Sequence, residues 1–322
     1  MYFNNSNNFF HGIMFHHFHD DNLHSKGQGS ISKDDFYSLI KFIGKKNILD
    51  ADIFFEKLKK NQLKANEVCL TFDDAVKCQI DIALPVLEDL KIKSFFFVYT
   101  SLFSNDPDNL EVFRFFRMNY YNHINDFYDD FYVKLDQDLK SFFLNYEKEM
   151  NYKKRKSPHY SIEDIKFRFV RDVFLKKEKY NEIMFSMMID KNFEPKKFYN
   201  KLFFNNQDLK NLNNLGHLVG LHSHTHPTLF ESLNYDNQQI EYEKALSVLC
   251  KILNKSKKEI KWMSHPNGSY NLDTLEILKN LGIELGFKQI MAIEPEKGMK
   301  KINNSRLEIA RENHSAIMKR MI

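Results

Sequence analysis

Apolar positions along the chain alternate between short unbroken runs and stretches with helical spacing. Gly12 to Phe18 is a short apolar and aromatic run, which predicts a first strand. A polar stretch, His19 to Ser30, follows. Ser32 then precedes Asp34 and Asp35, and Phe36, Leu39, Ile40 and Ile43 share one face, which predicts a capped helix. Glu67 to Phe72 predicts a buried strand ending in two acids. Ala75 to Leu90 predicts a helix kinked at Pro85, and Lys93 to Tyr99 a further strand. Strands alternating with helices in this way argue for a parallel sheet.

From about Asn105 to Asn206 the rhythm changes. The segment is rich in Phe, Tyr, Lys and Asp, and its apolar residues recur at helical spacing, as in Phe167, Val170, Phe174 and Leu175. This predicts a mostly helical insertion, with a loop at Ser157-Pro158, placed as a cap over a site. The strand and helix alternation then resumes. Leu218 to Leu221 predicts a strand, Asp236 to Leu253 a long helix, and Ile260 to Ser264 a strand. A Pro-Asn-Gly turn, a helix from about Leu272 to Leu281 and a short strand from Glu284 to Phe287 complete the series. The reading is an α/β fold over residues 1–104 and 207–322, interrupted by a helical insertion at 105–206.

Composition narrows the picture modestly. The 322 residues suffice for one large domain carrying an insertion. A net charge of +4 gives no concentrated basic face, so nucleic acid is not an expected partner. The three cysteines, Cys69, Cys78 and Cys250, are odd in number and form no C-x-x-C pair, which points to a reducing compartment. The first residues do not read as a secretory signal, and the most apolar stretch, Ser94 to Phe103, is too short for a transmembrane segment. A cytoplasmic protein is the expectation.

Three groups of residues carry candidate chemistry. Asp73 and Asp74 follow Thr71-Phe72 at a strand end, where parallel barrels place catalytic groups, although an aspartate there also suits a helix cap. His222, His224 and His226 fall within five residues after a strand, and neutral imidazole is a common ligand for zinc; a polar loop is the plainer reading. Pro266, Asn267, Gly268 and Tyr270 form a turn after another strand, either an ordinary connection or a place where backbone approaches a ligand.

Taken in order, Thr71-Phe72-Asp73-Asp74, His222-Ser223-His224-Thr225-His226-Pro227 and Pro266-Asn267-Gly268-Ser269-Tyr270-Asn271 resemble the polysaccharide deacetylases with the NodB homology domain, carbohydrate esterase family 4. The resemblance covers residues 67–104 and 207–290 and omits the insertion. The third motif is the loosest: His265 stands where related turns often carry Tyr, and the arginine of the stricter motif is missing. The resemblance implies an incomplete (β/α) barrel of about seven strands and hydrolysis of the N-acetyl group of an amino sugar. It also implies Asp73 as general base and Asp74, His222 and His226 as ligands of a divalent metal ion, with zinc the first choice and His224 a bystander. A rearranged subgroup takes its proton donor from an N-terminal strand. Met14-Phe15-His16-His17-Phe18 resembles that strand and makes His16 the general acid, with His314 as rival. Pro266, Asn267, Gly268 and Tyr270 would face substrate, with a backbone N–H of the Asn267–Tyr270 turn holding the oxyanion. Arg311 would orient Asp73. A cytoplasmic setting favours a precursor, such as a nucleotide- or lipid-linked sugar of surface polysaccharide or O-antigen type. Two rival readings are a metal-dependent amidohydrolase or phosphoesterase of another class, built on His222-x-His224, and a non-catalytic sugar-binding relic of the fold.

Overall fold

The computed structural model describes residues 2–3, 8–104, 108–156 and 160–321. The expected loop at Ser157-Pro158 and the Asn105 boundary lie outside them. The chain divides into two compact units, residues 1–108 with 200–322, and residues 109–199.

The first unit is built on seven parallel strands. They are β1 (His11–Phe15), β4 (Val68–Asp73), β5 (Phe95–Val98), β6 (Leu218–Leu221), β7 (Trp262–Ser264), β8 (Leu285–Phe287) and β9 (Arg311–Asn313). Their order is β8-β7-β6-β5-β4-β1-β9. A further pair, β2 (Phe18–His19) and β3 (Ile31–Ser32), forms a separate small sheet. Between β8 and β9 the wall closes only by a bridge from Phe287 to Ile309, where the Ile309 N–H donates to the Gly286 carbonyl at 2.9 Å. The sheet is therefore an almost closed barrel, as the resemblance implies.

Strand alternation sorts the side chains into two layers. Leu70, Phe72, Phe96, Val98, Val219 and Leu221 point outward and pack under the surrounding helices. Cys69, Phe95, Phe97, Leu285 and Phe287 point inward. The helix Ala51–Lys59, which the apolar pattern did not single out, sets Phe54 against Phe95, Phe287 and Phe10 and fills the lumen at the amino ends of the strands. The carboxyl ends are left for polar chemistry.

Local departures from expectation have physical causes. The first strand stops at Phe15, so His16 stands at its carboxyl end. Pro85 lies inside one continuous helical run that is irregular just ahead of it. The chain widens into a π-turn over Gln79–Ala83, and Pro85 falls in the first turn of the α-helix Leu84–Asp89, where its ring and missing N–H are tolerated. Ser32 does cap the helix Lys33–Ile43, accepting from the Asp35 N–H. β9 has no apolar run and went unpredicted.

The second unit is helical. Helices Leu110–Asn119, Ile124–Leu135, Ile162–Phe169 and Lys177–Asp190 enclose Val112, Phe113, Phe116, Phe127, Phe131, Phe167 and Met184. Among the described residues no helix is long and apolar enough to cross a membrane.

Candidate metal centre and catalytic site

At the carboxyl end of β4 the chain turns sharply. Asp74 and Ala75 both have left-handed backbone, with φ of 77° and 53°. Such residues cost energy unless their surroundings fix them. Here the Asp74 N–H donates to the Phe97 carbonyl at 3.1 Å, and the Phe204 N–H to the Ala75 carbonyl at 2.9 Å. The turn sends two consecutive carboxylates in different directions.

Asp73 points into the barrel and meets Arg311 of β9. The guanidinium reaches both carboxylate oxygens at 2.7 Å. It also donates to Ser264 Oγ at 2.8 Å and to the Lys288 carbonyl at 2.9 Å, while Ser264 Oγ donates to Asp73 at 3.1 Å. These bonds tie β9 to β4 and β7, neither of which is its neighbour in the sheet. Gly12 leaves the space they need: a Cβ there would lie 3.0 Å from Arg311 Cγ. Burial pushes the Asp73 carboxyl up, but the Arg311 charge, His222 and the Arg311 hydrogen bonds outweigh it and hold Asp73 below the usual carboxylate range.

Asp74 faces the loop after β6. Its Oδ1 lies 3.2 Å from His222 Nε2 and 3.3 Å from His226 Nε2. One ligand atom from each of the three lies within 4.8 Å of the others. His222 Nδ1 is 2.8 Å from the Ser264 carbonyl, which can only accept, so the ring's free lone pair is on Nε2, facing Asp74. Asp74 Oδ1 is buried and accepts no well-formed hydrogen bond. Burial opposes charge on both partners. Even so, His226 and His16 hold the Asp74 carboxyl well below its ordinary range, and Asp74 holds His226 above its own. A carboxylate oxygen and two imidazole nitrogens converge on one point. The donor set suits a divalent ion such as zinc.

The loop carrying these histidines is strained at Ser223 (φ 64°) and His226 (φ 53°). Glu241, on the helix Tyr235–Leu253, clamps it. One carboxylate accepts from the His224 N–H at 2.9 Å, the Thr225 N–H at 2.8 Å and the Thr225 hydroxyl at 2.8 Å. His224 itself turns away, its Nδ1 2.9 Å from Thr100 Oγ1.

His16 Nε2 stands 3.8 Å from Asp74 and 3.9 Å from Asp73, with 22% of its side chain exposed. Gln79 fixes this end of the barrel, donating from Nε2 to the His16 carbonyl at 2.9 Å and the Asp73 carbonyl at 2.6 Å. His314 is elsewhere. It stacks on the outward-facing Phe15 at 5.3 Å, and burial pushes its pKa down to about 4.

The turn after β7 departs from expectation. Tyr270 is buried, and its hydroxyl donates to Glu308 at 3.3 Å, so it braces the turn and leaves no polar atom for a substrate. Pro266 is buried as well. The Gly268 and Ser269 N–H groups, expected near an oxyanion, donate within the turn to His265 and Pro266 carbonyls at 3.0 and 2.8 Å. Asn267 alone is exposed, on left-handed backbone. Arg311 serves Asp73 from inside the barrel and has no face toward a substrate. Ser264, Gln79 and Glu241 were missed. Ser264 ends a predicted strand, which was a usable signal; the other two sit on helical turns with none.

An almost closed parallel barrel with two ionised carboxylates and two imidazoles at its carboxyl end defines a hydrolase-type site. The chain belongs to the polysaccharide deacetylase family, whose model matches residues 60–123 and 173–286. Members of that family are hydrolases that remove N-acetyl groups from carbohydrate. Among solved structures, the Streptococcus pyogenes deacetylase PplD, solved with acetate, aligns with a TM-score of 0.53 at 15% identity, covering 94% of this chain and 91% of that one. IcaB from Ammonifex degensii gives 0.53 at 12% over 94% and 91%. The BpsB deacetylase domain from Bordetella bronchiseptica gives 0.52 at 12% over 94% and 95%. Likeness at this identity speaks for the fold alone. No curated protein matches.

Proposed function

We propose that the protein is a metal-dependent N-deacetylase of an amino sugar in a glycan or glycan precursor, with Asp74, His222 and His226 holding the ion. The observation that carries this reading is the buried Asp74 oxygen facing two imidazole nitrogens without a hydrogen bond. A bound divalent ion, zinc by the donor set, would supply Lewis-acid polarisation of the acetyl carbonyl and of the attacking water. Asp73, ionised and aimed by Arg311 and Ser264, accepts a proton from water as the water oxygen bonds the amide carbon. His16, beside both carboxylates and partly open to solvent, gives a proton to the departing nitrogen as the C–N bond breaks. Acetate and a free amine result. An odd count of three cysteines with no C-x-x-C pair fits a reducing, cytoplasmic setting, and that setting favours a nucleotide- or lipid-linked precursor of surface polysaccharide or O-antigen type.

The test is acetate release from a panel of N-acetylated amino sugars, free and carrier-bound. Asp73→Asn should abolish turnover while metal content is unchanged, and His222→Ala should lose the metal by elemental analysis. Ordinary turnover in Asp73→Asn refutes the base, and unchanged metal in His222→Ala refutes the ion site.

A further inference from the structure

The helical unit contains a charge arrangement that deacetylation does not use. Arg117, on the helix Leu110–Asn119, is only 8% exposed. Among the described residues its guanidinium donates no hydrogen bond. Nε is buried without a partner, and the nearest carboxylate oxygen, Asp164 Oδ1, is 3.8 Å from NH1. Its other close contact is the Phe167 ring, 5.4 Å from Cζ. A buried guanidinium with an unpartnered Nε–H is costly, because it cannot shed its proton to escape burial.

Asp164 relieves it only in part. Asp164 accepts from Arg168 Nε at 2.6 Å and from the Tyr128 hydroxyl at 3.0 Å. Asp172 is held by both forks of Arg171 at 2.6 and 2.7 Å. Each carboxylate is thus committed to another arginine. Burial first, then the like charge of Arg168, works against the Arg117 cation, and Arg171 adds to it. Lys153, at an exposed position on the helix Glu147–Lys156, has its pKa lowered first by the packing around its side chain and then by the like charges of Arg168 and Arg171, which Asp172 opposes. Three arginines and a lysine therefore stand against two carboxylates. The surplus equals the charge of a phosphate monoester dianion, about −2. Planar guanidinium forks match tetrahedral oxyanions by paired hydrogen bonds.

We infer that Arg117, with Arg168, Arg171 and Lys153, forms an anion site that takes a phosphate group, free or esterified. Without the anion, Arg117 shares a single carboxylate with Arg168 and leaves its Nε–H unpartnered; with it, that donor is satisfied. The site lies wholly within residues 109–199 and does not depend on the deacetylase reading.

The experiment is thermal unfolding and calorimetric titration of the full chain with inorganic phosphate at constant ionic strength, with and without a chelator. The expected result is a saturable upward shift of Tm that survives chelation. Arg117→Met should weaken phosphate binding about tenfold or more, since at least one charge-assisted pair is lost. Without phosphate it should unfold at the same or a higher temperature than the parent, because an unsatisfied buried charge has been removed. Lys153→Ala, at an exposed position, should stay folded and weaken phosphate severalfold. Glycerol 3-phosphate and vesicles containing phosphatidic acid, titrated alongside, assign the group to a soluble ester or a lipid, and a response to either supports the site. An equal response to chloride, a phosphate response undiminished in both variants, or a lower Tm for phosphate-free Arg117→Met than for the parent overturns the proposal.

Discussion

Replacing Arg311 with Met separates electrostatic support of Asp73 from simple packing. Both residues are 1% exposed, and the pair shares two contacts of 2.7 Å. Removing one partner of a buried ion pair costs about 3–5 kcal/mol, mostly because the remaining charge is stranded. The pH dependence gives the sharper test. In the parent, the Asp73 pKa is depressed in the folded state, so its stabilisation is present above the unfolded value and lost as pH falls through the folded one. In Arg311→Met burial acts with much less opposition, and the folded pKa moves above the unfolded value. Stability is then lost as pH rises through that raised value, by up to about 1.4 kcal/mol per pH unit. The gap between parent and variant should therefore widen from pH 5 to pH 8. A residue of about 1–3 kcal/mol should remain at pH 5 from the stranded Lys288 carbonyl and Ser264 hydroxyl, which Arg311 also bonds. Urea unfolding across that range, with a chelator present to keep metal linkage out, measures it. A gap below about 1 kcal/mol that does not change with pH would show that the Asp73 charge does not depend on Arg311.

Two further predictions follow from the same geometry. Glu241→Ala should weaken zinc binding about 10–100-fold by equilibrium dialysis, the usual effect of removing a group that orients ligands, with Glu241→Gln intermediate; equal affinity in all three proteins would mean the strained loop holds itself. Gly220→Ala should lower stability by about 3 kcal/mol or more in chemical denaturation, since its Cβ would lie 2.4 Å from Trp262 Cδ1 and 2.5 Å from the Trp262 carbonyl oxygen in a parallel ladder that cannot easily give; a loss under about 1 kcal/mol would show that the barrel wall does give there.

Most of the barrel is legible in the sequence because a strand buried on both faces must be apolar throughout. Val68–Leu70, Phe95–Val98 and Leu218–Leu221 are such runs. β9 escapes for the opposite reason. Arg311-Glu312-Asn313 is polar, yet Arg311 is buried by virtue of Asp73, a partner 238 residues away that no local pattern can reveal. The histidine loop is legible as a cluster, but its conformation is not. Positive φ at Ser223 and His226 is imposed by Glu241 from a separate helix, and glutamate on a helix surface carries no special signal. The turn at 266–270 misled for a related reason. Pro, Asn and Gly announce a tight turn correctly, but the burial of Tyr270 is set by Glu308, Met299 and the stacked His265 ring, two of them distant in sequence.

Adjacent carboxylates normally compete: two like charges side by side raise one another's pKa, and one takes up a proton. Asp73 and Asp74 avoid this because the left-handed turn at Asp74 and Ala75 splits their surroundings. Asp73 is given a guanidinium from β9, and Asp74 is given imidazoles from the loop after β6. Both carboxyls are consequently held below their ordinary range although both are buried. The division of labour in the proposed reaction depends on that separation. A carboxylate that coordinates an ion is a poor proton acceptor, and one that accepts a proton is a poor ligand. The chain needs two ionised acids with different counter-charges, and a strand end followed by a forced left-handed turn supplies them from consecutive residues.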